Sequence, residues 1–241
     1  MSAVAIGRDD RTYVLHRGPK PVMAFRSGGS FERSWGNGLF DVPHGLRVAP
    51  DGSVWTTDNK SNKLRRFSPD GELLQTVEAG FRAPDDLVFA STGEIIVADA
   101  GNARLVMLSR DGAVISSWGR PGKGRGEFAA AHGLAIDSRD RIYVADRGNN
   151  RVQVFDLSGK VLAEWTGFGN PFGLIVIGSQ LLVSDGDAHR VSHLDLISGK
   201  VETQWGDPQT LLLPHLMATD SRGRLYVAEV NGKRVQIFER R

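Results

Sequence analysis

One pattern recurs six times along these 241 residues at a spacing of about 40, and few folds tolerate such a rhythm. Each unit holds four short apolar or β-branched runs, divided by Asp-Gly, Ser-Gly or Gly-Asn turns. Clear second runs are Glu94-Ile95-Ile96-Val97-Ala98-Asp99, Arg141-Ile142-Tyr143-Val144-Ala145-Asp146 and Leu225-Tyr226-Val227-Ala228-Glu229. Their third runs are Arg104-Leu105-Val106-Met107-Leu108, Arg151-Val152-Gln153-Val154-Phe155 and Arg234-Val235-Gln236-Ile237-Phe238. Four such runs make a four-stranded antiparallel blade, and six blades make an all-β, six-bladed propeller. Residues 1–241 read as one domain, with no helix-period segment and no linker. The sixth unit ends after its third run, so a three-stranded last blade is expected, with no strand from the other terminus latching the ring. Its edge would finish in Glu239-Arg240-Arg241, charges that discourage pairing with another chain and favour a monomer.

Within that register, His44, His132 and His215 fill one and the same slot in alternate repeats. The local sequences are Val42-Pro43-His44-Gly45-Leu46, Ala131-His132-Gly133-Leu134 and Pro214-His215-Leu216, separated by 88 and 83 residues. In a closed ring, alternate repeats face the axis from directions roughly 120° apart. Three imidazoles meeting at the axis can hold a transition metal with one position open, Zn²⁺ or another divalent ion. Duplication alone would fill all six slots, not every second one. Asp85 and Phe172 occupy the slot in the third and fifth repeats.

The slot precedes the innermost strand of its blade, so the histidines stand at the rim of the central channel. The second strand runs back to the same face. There Arg17 and Arg147 follow the second strands of repeats one and four. Just before them, His16, Asp58, Asp99, Asp146, Asp185 and Glu229 share a position. Recurrence of the acids in consecutive blades points to a structural role in the turn. The longest loop on this face, Gly119 to Phe128, is glycine-rich and basic and is expected to be flexible over the channel mouth. Trp35, Trp118, Trp165 and Trp205 all end fourth strands, which marks them as packing and not as a substrate cage.

Composition narrows the partners. A formal net charge of +2, with basic residues interleaved among acids, argues against nucleic acid. There is no cysteine, so no disulfide supports the fold. Neither a secretory leader nor an apolar run of membrane-spanning length is apparent, and a cytoplasmic protein is expected.

The segment Val144-Ala145-Asp146-Arg147-Gly148-Asn149-Asn150-Arg151-Val152-Gln153-Val154-Phe155 resembles an NHL repeat. Four further matches resemble the lyase domain of peptidylglycine α-amidating enzymes, and the likeness runs through all six repeats. Leu15-His16-Arg17-Gly18 is similar to that family's His-Arg-Gly segment, and Ala145-Asp146-Arg147 to the segment bearing its second active-site arginine. The three histidine segments resemble its zinc-ligand segments, and Gly126-Glu127-Phe128 its Gly-Gln-Phe lead-in. The resemblance implies zinc on His44, His132 and His215, with Arg17 and Arg147 in the active site. It implies cleavage of the C–N bond of a carbinolamide, here a small carboxylate-bearing molecule.

Two departures matter. The family's proposed tyrosine base is replaced in Asp99-Ala100-Gly101-Asn102, and Tyr13, Tyr143 and Tyr226 share one packing slot with Trp55. Proton transfer then falls to Asp85 at the channel rim, with His16 as second candidate. The aspartate that helps bind the family's structural calcium is Leu216 here, which speaks against that calcium. Two alternatives stay open: a metal-dependent, lactonase-like hydrolase on the same face, and a non-catalytic scaffold binding protein or RNA.

Overall fold

A computed structural model describes residues 1–239. Blade one consists of β1 (Ala3–Ile6), β2 (Thr12–Leu15), β3 (Val22–Phe25) and β4 (Phe31–Trp35). Blade two follows with β5 (Pro43–Val48), β6 (Val54–Asp58), β7 (Lys63–Phe67) and β8 (Leu73–Val77). Blade three holds β9 (Pro84–Phe89), β10 (Ile95–Asp99), β11 (Arg104–Leu108) and β12 (Val114–Trp118). Blade four is β13 (Ala131–Ile136), β14 (Ile142–Asp146), β15 (Arg151–Phe155) and β16 (Val161–Thr166). Blade five is β17 (Pro171–Ile177), β18 (Gln180–Asp185), β19 (Arg190–Asp195) and β20 (Val201–Trp205). Blade six has three strands, β21 (Pro214–Thr219), β22 (Leu225–Glu229) and β23 (Arg234–Phe238). Every sheet runs in chain order with antiparallel neighbours, so the protein is an all-β, six-bladed propeller with a three-stranded last blade.

The second strands explain why the blades stack. Ile142-Tyr143-Val144-Ala145-Asp146 is buried along its whole length, because both faces of a blade press on neighbours. Val88, Ile96, Leu105, Leu134, Ile142 and Phe155 form one such layer between blades three and four. The expected packing role of the tryptophans holds: Trp35, Trp118 and Trp165 lie over Gly71, Gly159 and Gly199 in the outer turn of the next blade.

The ring closes by face contacts between blades six and one. Val4 and Val14 pack with Ala218, Tyr226 and Ala228. The Asp10 carboxylate accepts Ser221 N–H at 2.9 Å and its hydroxyl at 2.5 Å, and the Met1 amine donates to Glu229 O at 3.1 Å. Arg240 and Arg241 of the expected charged edge lie outside the described residues. No helix among the described residues is long and apolar enough to cross a membrane.

The recurring acids carry the loops of the histidine face. Asp58, Asp99, Asp146, Asp185 and Glu229 are fully buried. Asp58 accepts the N–H groups of Asp41 and Val42 in the connection leading into its own blade, each at 2.9 Å. Asp146 does the same for Ala129 and Ala130. Each acid also pairs with an arginine of the third strand, as Asp146 does with Arg151 at 2.8 Å. Arg151 decides the fate of the long loop, which is held, contrary to the flexibility expected from its glycines. Its guanidinium donates to the carbonyls of Lys123, Gly124 and Glu127 at 2.7–2.8 Å, while Phe128 is wholly buried.

Candidate metal centre

Pro43, Ala131 and Pro214 each pair with the last residue of the second strand, Asp58, Asp146 and Glu229. A register shift follows in all three, and it places the histidine between regular ladder positions. The three rings meet with centroids 4.9–5.0 Å apart, edge to face. One ligand nitrogen of each lies within 4.8 Å of the others, and all three side chains are buried.

Each imidazole is oriented by the next blade. His44 Nδ1 stands 2.9 Å from Asp85 O, His132 Nδ1 2.9 Å from Phe172 O, and His215 Nδ1 2.6 Å from Ser2 O. Asp85, Phe172 and Ser2 hold the histidine slot in blades three, five and one, so the six slots alternate between ring and carbonyl. A carbonyl oxygen only accepts, so Nδ1 carries the proton and Nε2 keeps its lone pair. That tautomer suits metal ligation through Nε2, with the carbonyl as outer partner. His132 Nε2 is buried without a hydrogen-bond partner among the described residues. A buried lone pair without a partner, clustered with two other imidazoles, is of the kind that fits a divalent metal.

The glycines after these histidines have a reason that sequence reading missed. A Cβ on Gly45 would stand 2.5 Å from Asp85 O, and one on Gly133 2.1 Å from Phe172 O. Those are the carbonyls that orient His44 and His132, so any side chain there displaces the outer partner. In blade two, Thr57 Oγ1 tightens this further, accepting Gly45 N–H at 2.7 Å and donating to Asp85 O at 3.0 Å.

Protonation would defeat ligation, and the site resists it. Burial pushes the His132 imidazole well below its ordinary value, and the nearby His44 and Arg147 add to the effect. Burial does the same to His215, reinforced by His132, His44 and Arg147.

Asp85 stands at the centre. Its carboxylate lies 3.6 Å from His44 Nδ1 and 3.8 Å from His132 Nε2, and Asn59 Nδ2 donates to Oδ1 at 2.6 Å. Arg147 lies 4.8 Å over the Phe172 ring. That ring in turn contacts His132 and His215 at 5.1 and 5.3 Å. Phe172 is thus an apolar wall and the seat of Arg147, a role its place in the slot did not reveal. Arg17 is exposed and lines a cavity of about 340 Å³ with His16, His215 and Lys233. His16 Nδ1 accepts Gly18 N–H at 2.9 Å, so one ring nitrogen serves the local turn. Lys233 had no sequence signal, since it sits in the turn between β22 and β23.

The tyrosines are elsewhere. Tyr13 bonds to Pro69 O at 3.4 Å, Tyr143 to Asp137 at 3.1 Å and Tyr226 to Asp220 at 3.2 Å. The residue following His215 is Leu216, buried in the core. A carboxylate does face the channel one place after the slot in blade three: Asp86, wholly buried. Arg47 of blade two binds it in bidentate fashion at 2.9 and 2.5 Å and donates to Leu134 O of blade four. Leu134 N–H completes the set at 2.9 Å, so an internal guanidinium ties blades two, three and four together.

Comparison with known proteins agrees with the repeat. The NHL repeat model matches residues 40–67 and 128–155. Peptidyl-glycine alpha-amidating monooxygenase of Mus musculus is 36% identical over 121 residues, which is 43% of this chain and 12% of that protein. Peptidyl-alpha-hydroxyglycine alpha-amidating lyase 1 of Drosophila melanogaster is 31% identical over 121 residues, 44% of this chain and 22% of that protein. The chain therefore matches a small part of the length of these relatives. Among solved structures, virginiamycin B lyase from Staphylococcus aureus has a TM-score of 0.75 at 16% identity, over 100% of this chain and 84% of that one. That likeness is one of fold. Two segments of the chain match the NHL repeat, and the chain is similar to relatives named as amidating lyases, as its motifs suggested.

Proposed function

We propose that this chain is a metal-dependent, lyase-like enzyme. It cleaves the C–N bond of a small carbinolamide of the α-hydroxyglycine or ureidoglycolate type, releasing an amide and a carbonyl product such as glyoxylate. One observation carries the reading: three buried histidines in alternate blades, each held by a neighbouring carbonyl so that Nε2 faces the other two. Relatives named as amidating lyases support the reaction class.

His44, His132 and His215 would hold Zn²⁺ or another divalent transition metal, which supplies Lewis acidity toward a substrate hydroxyl when bound. The chain's own groups do the rest. Arg17, at the open rim, binds the substrate carboxylate. Arg147, seated on Phe172, faces the oxygen on which negative charge develops. Asp85, held by Asn59, takes the carbinol proton on Oδ2. The oxygen lone pair then forms the carbonyl, the C–N bond breaks, and the nitrogen takes a proton back from Asp85. His16 lines the same cavity and is the second candidate for that transfer. The occupant is a small carboxylate-bearing molecule, and the enzyme works as a cytoplasmic monomer without nucleic acid or membrane.

Elemental mass spectrometry of chelator-washed protein, reloaded with Zn²⁺ beside His132→Ala, tests the site. One equivalent in wild type and loss in the variant are expected. No uptake by wild type sinks the enzyme reading. Product analysis on N-acyl α-hydroxyglycines and on lactones then separates lyase from hydrolase. Asp85→Asn should keep its metal and lose activity by a factor on the order of 10²–10⁴.

A further inference from the structure

Two cations from different blades meet in the cavity beside His215, and the proposed reaction uses one of them. Arg17 follows β2 of blade one, and Lys233 precedes β23 of blade six. Both line the cavity of about 340 Å³ whose wall includes His215. No carboxylate lines it among the described residues. Neither Arg17 nor Lys233 forms an ion pair among those residues. The acid that ends β22 is engaged elsewhere: Glu229 is wholly buried, pairs with Arg234 at 3.0 Å and accepts Gln236.

Lys233 is not what its turn asks for. Five blades place a left-handed residue just before the third strand: Asn62, Ala103, Asn150, His189 and Lys233, with φ between 51° and 59°. Asparagine suits that conformation, because its short amide bonds to the local backbone. A lysine gains nothing there from the backbone, so its presence is explained by where its ammonium goes. An arginine and a lysine in one acid-free cavity repel each other, and a ligand with a single carboxylate leaves one charge over. Two negative groups offset both. The planar fork of Arg17 suits the carboxylate next to the carbinol carbon. Lysine, a point charge on a flexible stem, suits a second anion at the end of a chain.

We infer that the substrate is a dianion and that Lys233 determines this specificity by binding its second carboxylate. The molecule is an N-acyl α-hydroxyglycine whose acyl chain ends in that carboxylate, and the cavity, small for a ligand pocket, suits a short chain. Cleavage breaks the C–N bond, moves the carbinol proton to the nitrogen and turns the carbinol C–O into a carbonyl. The products are the monoamide of a dicarboxylic acid and glyoxylate, with no other reactant. The reaction rests on the lyase reading, whereas the second anion subsite stands on Arg17 and Lys233 alone.

Calorimetric titration of the full chain, loaded with Zn²⁺, separates the two. The probes are N-succinylglycine, which lacks the hydroxyl and cannot react, and N-succinamoylglycine, which differs only in a neutral terminal amide. The acid should bind at least tenfold more tightly than the amide. Lys233→Asn, which installs the residue of blades two and four, should erase that preference without lowering the melting temperature. Lys233→Glu should favour N-(4-aminobutyryl)glycine over N-succinylglycine by at least tenfold. No saturable binding of N-succinylglycine, equal affinity for acid and amide, or a preference that survives in Lys233→Asn overturns the inference. Cleavage of N-acetyl α-hydroxyglycine with no preference for the acid would overturn it and leave the lyase reading intact. A preference lost in Lys233→Asn, with no α-hydroxyglycine cleaved, would uphold the subsite and remove the lyase.

Discussion

Lowering the pH of the metal-free protein probes the histidine cluster without any substitution. His132 and His215 are neutral in the fold because burial and the neighbouring cations hold them well below the ordinary 6.5. At pH 7.5 the two imidazoles are largely neutral folded and unfolded, and contribute little to the balance. As pH falls through about 6.5, the unfolded chain binds two protons that the folded one refuses, so stability declines. The slope is about 1.4 kcal/mol per pH unit for each histidine. Between pH 7.5 and 5.0 the loss reaches at most about 2 kcal/mol per ring, or about 4 kcal/mol for the pair, the limit in which both rings stay neutral in the fold. The buried Asp58 carboxylate acts in a different window. Burial opposes ionisation of Asp58, but the N–H groups of Val42 and Asp41 outweigh it and keep its pKa under 3.8. Its contribution is present above that value and is lost only below it. Urea unfolding at pH 7.5, 6.5, 5.5 and 5.0 in chelator measures the effect. A change under about 1 kcal/mol across that range would refute the reasoning, as would an unchanged slope in the His132→Gln/His215→Gln double variant.

Other outcomes follow from the same geometry. Zn²⁺ at a hundredfold excess over its Kd should stabilise the protein by about 2.7 kcal/mol at pH 7.5, and His132→Ala should lose that gain in thermal melts. Gly133→Ala brings a Cβ to 2.1 Å from Phe172 O, so it should cost about 1–3 kcal/mol in urea unfolding and reduce zinc uptake. Asp86→Ala strands Arg47 and Leu134 N–H, and should destabilise by about 3–5 kcal/mol while zinc stoichiometry stays at one. Arg17→Ala should raise KM for a carboxylate substrate at least tenfold and spare an uncharged analogue, as steady-state kinetics would show.

Much of this molecule was legible in its residues one repeat at a time. The four-run unit predicts a blade because alternation and turn residues act over a few positions, and six such units predict the six sheets. The histidine slot was legible because duplication preserves register, so residues 88 and 83 positions apart share one place in their blades. What a neighbouring blade does to a residue is not written in that residue's own repeat. The carbonyls that orient the three imidazoles come from residues of unrelated type, Asp85, Phe172 and Ser2, through a backbone atom that leaves no trace in sequence. The glycine-rich loop looked loose because glycine is locally permissive, whereas Arg151, some 25 residues on, pins its carbonyls. Arg47 and Asp86 were silent for the same reason: their partnership joins neighbouring blades and exists only once blades two, three and four have stacked.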